Sequence, residues 1–158
     1  MAKKKETMEN EFKERTKKVK TVKAKILTVT GKRKTAIARA TIREGKGDIR
    51  INHKPLHTLN NLRRLLILEP IRIAEDVIKD DMKKIDISVN VSSGGTESQI
   101  EASRLAIARA LVAYTQNAEL KSAFLAYDRA MIVADVRRKE MRKPGDSKAR
   151  ARRQTSYR

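Results

Sequence analysis

The sequence predicts an α+β domain, a four-stranded mixed sheet with helices packed on it, carrying a basic N-terminal extension and a basic, extended C-terminal tail. Three observations lead there. Residues 26–43 and 85–92 alternate apolar and polar with the period of a strand, and residues 96–116 carry an apolar stripe at helical spacing. The charge, finally, sits at the two ends. The 158 residues hold 38 Lys and Arg against 19 Asp and Glu, a formal charge of +19. Residues 1–25 hold ten basic and four acidic side chains and residues 136–158 ten and two, which leaves only +5 for the 110 residues between. The expected organisation is therefore an extension over 1–25, a globular domain over 26–135 and a tail over 136–158.

In the extension, Glu9 precedes Lys13, Glu11 precedes Arg15 and Glu14 precedes Lys18, the spacing at which opposite charges meet on a helix. With little to bury, this stretch is either a solvated helix or a chain that orders on meeting a partner. It lacks the apolar run of a secretory signal, and its glutamates argue against a transit peptide, so a cytoplasmic location is expected. From Ile26 two strands follow. The second, Thr35 to Arg43, places Ala36, Ala38, Ala40 and Ile42 on one face and Arg39, Thr41 and Arg43 on the other. Gly31-Lys32-Arg33-Lys34 reads as the basic turn between them, and Glu44-Gly45-Lys46-Gly47 as a second turn before a short strand, Asp48 to Ile51, completing a three-strand meander.

Leu59 to Leu68 and Ile71 to Ile78 read as two helical pieces separated by Pro70, which would break a continuous helix and is well placed to begin one. Ile85, Ile87, Val89 and Val91, alternating with Asp86, Ser88, Asn90 and Ser92, form the fourth strand. Thr96 and Gln99 have capping-box spacing and start a helix to about Gln116, with Ile100, Ile107, Leu111 and Tyr114 as its stripe and alanines that allow close packing. Arg104 sits at the edge of that stripe. A helix over Glu119 to Tyr127 and the apolar run Met131 to Ala134 close the domain. From Arg137 onward only Met141, Ala149, Ala151 and Tyr157 are apolar, too few to offset the ordering entropy of the chain, so the tail is expected to take shape only on RNA.

Chemistry-bearing motifs are scarce. Gly94 to Ser98 at a helix start could hold a phosphate, but the capping box supplies partners for some of those amides and no P-loop Lys-Ser/Thr follows. His53 and His57 flank Pro55 without a third ligand, and Asp80 and Asp81 lack a nucleophile to serve, so neither a metal nor a cofactor nor catalysis is expected. No apolar run approaches the length needed to cross a bilayer, and no membrane partner is expected. The absence of cysteine excludes disulfides and thiolate chemistry.

What remains is binding to a polyanion. Five aromatic residues, none spaced as a stacking platform, disfavour recognition of splayed bases and favour a folded RNA met through charge and shape. The expected RNA-binding residues are Lys32, Arg33 and Lys34 in the basic turn, and Arg137, Arg138, Lys139, Arg142, Lys143, Lys148, Arg150, Arg152, Arg153 and Arg158 in the tail. Arg outnumbers Lys seven to three in the tail, which suits forked contacts to phosphate oxygens. If six to ten of these met phosphates, affinity would fall roughly 10³- to 10⁵-fold between 50 and 200 mM salt. Pro144-Gly145 interrupts any helix begun at Asp135, leaving a thread able to enter narrow crevices.

Four segments, in order, closely resemble the universal family of small-subunit ribosomal protein nine. They are Gly31-Lys32-Arg33-Lys34-Thr35-Ala36-Ile37-Ala38-Arg39-Ala40, then Asp48-Ile49-Arg50-Ile51-Asn52, then Gly94-Gly95 with Gln99 and Ala106-Ile107-Ala108-Arg109-Ala110-Leu111. The last is Asp135-Val136-Arg137 with Glu140, Lys148-Ala149-Arg150 and the ending Gln154-Thr155-Ser156-Tyr157-Arg158. The resemblance covers about residues 26–158, and its Ser-Tyr-Arg ending is similar to archaeal and eukaryotic members. It implies the fold of the second domain of ribosomal protein five, a four-stranded sheet covered by helices. It also implies residence in the head of the small ribosomal subunit, contacts with that subunit's ribosomal RNA and with neighbouring head proteins, and a tail whose Tyr157 and Arg158 approach the P-site transfer RNA. Two other classes are weighed against it. A small-molecule kinase of related fold would need catalytic side chains that are missing here, and a nucleic-acid-compacting protein would bind duplex DNA equally well.

Overall fold

The computed structural model describes residues 26–145, 148–151 and 156, so the expected extension over 1–25 lies outside the described residues. Five strands form one sheet: β1 Leu27–Arg33, β2 Ala36–Glu44, β3 Ile49–Ile51, β4 Lys54–Pro55 and β5 Ile85–Ser92. Three α-helices are numbered in chain order among the described residues: α1 Asn61–Ile78, α2 Thr96–Thr115 and α3 Ala118–Tyr127. The strand order is β1-β2-β5-β3-β4, antiparallel except for the parallel pair β3 and β5.

Two expectations about the sheet are corrected by this order. It has five strands, not four, because the two left-handed residues Asn52 (φ 48°) and His53 (φ 64°) turn the chain back after Ile51 and pair it as β4. Nor are the first three strands a meander, since β5 lies between β2 and β3. β3 is tied to the inserted strand at both ends. The Ile87 amide donates to the Asp48 carbonyl, and the side-chain amide of Asn52 exchanges two hydrogen bonds with the backbone of Val91, at 2.7 and 3.2 Å. Asn52 thereby continues the ladder where the β3 backbone has already turned away.

α1 is also corrected: it runs unbroken through Pro70, which is fully buried inside it. Proline in a helix interior forfeits one hydrogen bond and costs about 3 kcal/mol. Here Ile67, Pro70, Ile71 and Ala74 share the buried side, and burial of that side outweighs the loss. The capping box does not form either. Gly95 is the N-cap of α2, and the Gln99 side chain donates instead to the Ser93 carbonyl, bracing the turn in which Ser93 and Gly94 are left-handed. Gly94 is pressed against Ala36: a Cβ there would lie 2.9 Å from the Ala36 nitrogen. The glycine turn is a packing device.

α2 lies across β1, β2 and β5, and α1 and α3 pack against α2 and each other. Small residues set the spacing. Ala36, Ala38 and Ala40 of β2 and Ala102, Ala106 and Ala110 of α2 are all fully buried, with Ile42, Ile87, Val89, Ile107, Leu111, Leu120, Phe124 and Met131 filling the space around them. Gly31 is the point of closest approach, since a Cβ built on it would lie 2.3 Å from the Ala102 carbonyl oxygen. Among the described residues no α-helix covers the other face of the sheet, where Thr28, Thr30, Lys32, Arg39 and Arg43 are exposed. Arg104 gains its place by ion pairs to Glu69 of α1, at 2.6 Å, and to Asp128 beyond α3, at 2.8 Å, so a charge on the edge of the stripe ties the helical layer together.

Candidate nucleic-acid interface

The three cations expected on one turn are separated by the pleat. Lys32 and Arg33 are the last residues of β1, and only Lys34 (φ 53°), with Thr35, makes the turn. Successive side chains on a strand point to opposite faces. Lys32 therefore stands exposed on the open face, whereas Arg33 turns to the helical side.

There Arg33 meets two carboxylates. Its Nε donates to Glu101 of α2 and its terminal nitrogen donates to Asp135, where the chain leaves the body. The Glu101 hydrogen bond and then Asp135 raise the affinity of the guanidinium for its proton above the ordinary value. Asp135 is held from the other side as well. Its Oδ1 accepts the Arg137 amide at 2.7 Å and its Oδ2 accepts the Arg137 guanidinium at 2.7 Å. The Arg137 side chain and amide, followed by Arg33, keep this carboxyl well below the usual carboxylate range.

Arg109 of α2 adds a third tie, donating to the Ile132 carbonyl at 2.7 Å and to the Thr30 carbonyl of β1 at 3.3 Å. Together these bonds fasten residues 132–137 along the seam between α2 and the outer edge of β1. The tail begins from a fixed point.

Beyond that point residues 135–143 have no regular secondary structure, and Arg137, Arg138, Lys139, Arg142, Lys143, Lys148 and Arg150 are exposed. The thread turns at Pro144-Gly145, where Gly145 takes φ 76°. Arg150 then forks onto Glu140, with Nε at 2.9 Å from Oε2, closing a loop whose concave side is lined by Arg138, Lys139, Arg142 and Lys148. Both partners of that pair are well exposed, so it guides the loop and adds little stability. Arg152, Arg153, Tyr157 and Arg158 lie outside the described residues.

Three cations outside the expected RNA-binding residues are brought together by the fold. Arg39 and Arg43 on β2 and Arg50 on β3 stand exposed with Lys32 on the open face, among Thr28, Thr30, Thr41, Ser88, Asn90 and Ser92. Arg43 lies 3.6 Å from Asp86 and Arg50 lies 3.1 Å from Asp48. Asp86 is mainly a brace, its Oδ1 accepting the amides of Lys46, Gly47 and Asp48 at 2.8 to 3.1 Å. The alternation of β2 already showed two of these arginines outside, but only the strand order shows that Arg50 joins them.

Compared with known proteins, residues 31–158 match the family described as Ribosomal protein S9/S16. The chain is 45% identical over 137 residues to the small ribosomal subunit protein uS9 of Methanococcus vannielii, covering 85% of this chain and 99% of that protein. It is 50% identical over 131 residues to the uS9 of Thermoplasma volcanium, covering 82% and 96%.

Proposed function

This chain belongs to the ribosomal protein S9/S16 family, structural and non-enzymatic components of the small ribosomal subunit, and from that premise we propose that it binds the subunit's ribosomal RNA in the head and extends its tail toward the P-site transfer RNA. On this reading the chain divides into an extension over 1–25, a body over 26–135 and an RNA-binding tail over 136–158, working in the cytoplasmic ribosome beside other head proteins. Lys32, Lys34 and the tail cations meet phosphates, Tyr157 and Arg158 come nearest the transfer RNA, and Arg33 positions the tail's root.

One observation carries the reading: the root of the tail is fastened by Arg33, Arg109 and Asp135 while the described cations after it, from Arg137 to Arg150, stay exposed. A cationic thread hanging from a fixed body can reach a distant phosphate surface in one direction. A tail loose at its base would spread its charge over many directions and lose more entropy on binding. Exposed guanidiniums also fork onto phosphate oxygens, which favours fixed contacts over a diffuse ion cloud.

Deletion of Ser156 to Arg158 tests the reading. Subunit assembly and the fold of the body are expected to persist while retention of P-site transfer RNA weakens. Retention unchanged across salt concentrations would refute the role of the tail.

A further inference from the structure

We propose that the open face of the sheet is a second RNA-docking surface, separate from the tail, that seats the backbone of a double-helical segment of ribosomal RNA. The proposal rests on the ribosomal reading above and adds a place on the body where RNA lies.

The first argument is where the body keeps its charge. Each α-helix is neutral by itself. In α1, Arg63, Arg64 and Arg72 offset Glu69, Glu75 and Asp76; in α2, Arg104 and Arg109 offset Glu97 and Glu101; in α3, Lys121 offsets Glu119. The strands are not balanced: they hold Lys32, Arg33, Arg39, Arg43, Arg50 and Lys54 against Glu44 and Asp86. Most of the body's positive excess is therefore in the sheet, and four of those cations, Lys32, Arg39, Arg43 and Arg50, point away from the helices. Lys32 and Arg39 have no carboxylate partner among the described residues.

The second argument is what lies between the cations. In register, Thr28 faces Thr41 and Thr41 faces Ser88, while Thr30 faces Arg39 and Arg39 faces Asn90. Strands lie about 4.8 Å apart and alternate residues about 6.8 Å apart, so the face is a lattice of cations, hydroxyls and an amide at that spacing, with Asp86 as the one carboxylate of its strands, beside Arg43. An A-form helix offers phosphates and 2′-hydroxyls across a wide, shallow minor groove, which such a lattice can contact. Ile37 is the one large apolar side chain among these outward positions, and none is aromatic. Protein interfaces draw on buried aromatic and apolar anchors, and single-stranded RNA draws on stacking platforms. This face offers neither.

The test uses the full chain and protein-free small-subunit ribosomal RNA, with affinity measured over a range of salt for the wild type and for the double variant Arg39→Ala, Arg50→Ala. Both residues are exposed, so the melting temperature is expected to stay put. Affinity is expected to fall, with the slope of log K against log salt shallower by about 1.5 for two lost phosphate contacts. An unchanged affinity and slope would overturn the proposal and leave the tail reading intact. Failure of the wild type to bind this RNA would overturn both. A second measurement does not depend on removing side chains. The chain has no cysteine, so an iron chelate tethered at Asn90→Cys marks one place. In assembled subunits it is expected to cleave RNA strands strongly. Cleavage absent at Asn90→Cys but present from Leu125→Cys on α3 would overturn the docking face. Loss of a neighbouring protein instead of RNA contacts in the double variant would assign the face to an acidic protein.

Discussion

Replacing Gly31 by alanine would force apart the two layers of the body. A Cβ at this position would lie 2.3 Å from the Ala102 carbonyl oxygen and 2.7 Å from the Ala106 nitrogen, both backbone atoms of α2. Relief to an ordinary contact needs a shift of about 1 Å, which a close-packed interior does not grant freely. Overpacking of this kind costs about 1–3 kcal/mol, partly offset by about 0.4–1 kcal/mol because alanine restricts the unfolded chain more than glycine. A net loss near 1–2 kcal/mol lowers the melting temperature by roughly 5–10 °C for a body of this size. Gly95→Ala is the matched control. Gly95 has φ −93° and a Cβ there meets nothing within 4 Å, so the entropy gain and the poorer N-cap offset each other. Thermal unfolding of the full chain, followed by circular dichroism, compares the two. A Gly31→Ala shift below about 2 °C, or no larger than that of Gly95→Ala, would refute the close-approach argument.

Two further outcomes are expected. Asp135→Ala should free the root of the tail; spin labels at Thr28→Cys and Met141→Cys should then report a broader distance distribution, and an unchanged distribution would show that Asp135 does not hold the root. The amides of Lys46, Asp48 and Gly47 and the charge of Arg43 hold the Asp86 carboxyl below its ordinary value, the Lys46 bond first. A folded value below the unfolded one means its contribution is complete above about pH 4 and vanishes as pH falls through the folded value. Asp86→Asn should therefore be less stable than wild type at neutral pH, with the gap closing in acid. A gap independent of pH in chemical denaturation would exclude that linkage.

The strands and helices could be read from the sequence wherever one local pattern decided them. The alternation of β2 and β5 and the stripe of α2 depend on neighbours two or four positions away, and both appear at the expected places. What escaped was set by distant partners. Nothing near Asp48 to Ile51 indicates that its neighbour is a strand more than thirty residues later, so the meander was the local solution. Pro70 has a strong local preference that tertiary burial overrides. Arg33 and Asp135 stand 102 positions apart, and no pattern in either segment shows that one is the other's partner. The tail's cations were legible from composition alone, but the division of Lys32 from Arg33 needed the exact register of β1.

The alanine seam under α2 has a mechanical meaning. One rigid beam, resting on the sheet with no slack beneath it, also bears two hooks for the C-terminal thread: Arg109, which holds Ile132, and Glu101, which holds the Arg33 that grips Asp135. A methyl group too many in the interior would tilt the beam, swing the hooks and redirect the thread that leaves the body after Asp135. Conservative changes at Ala38, Ala102 or Ala106 would thus register as errors of aim before they registered as loss of fold.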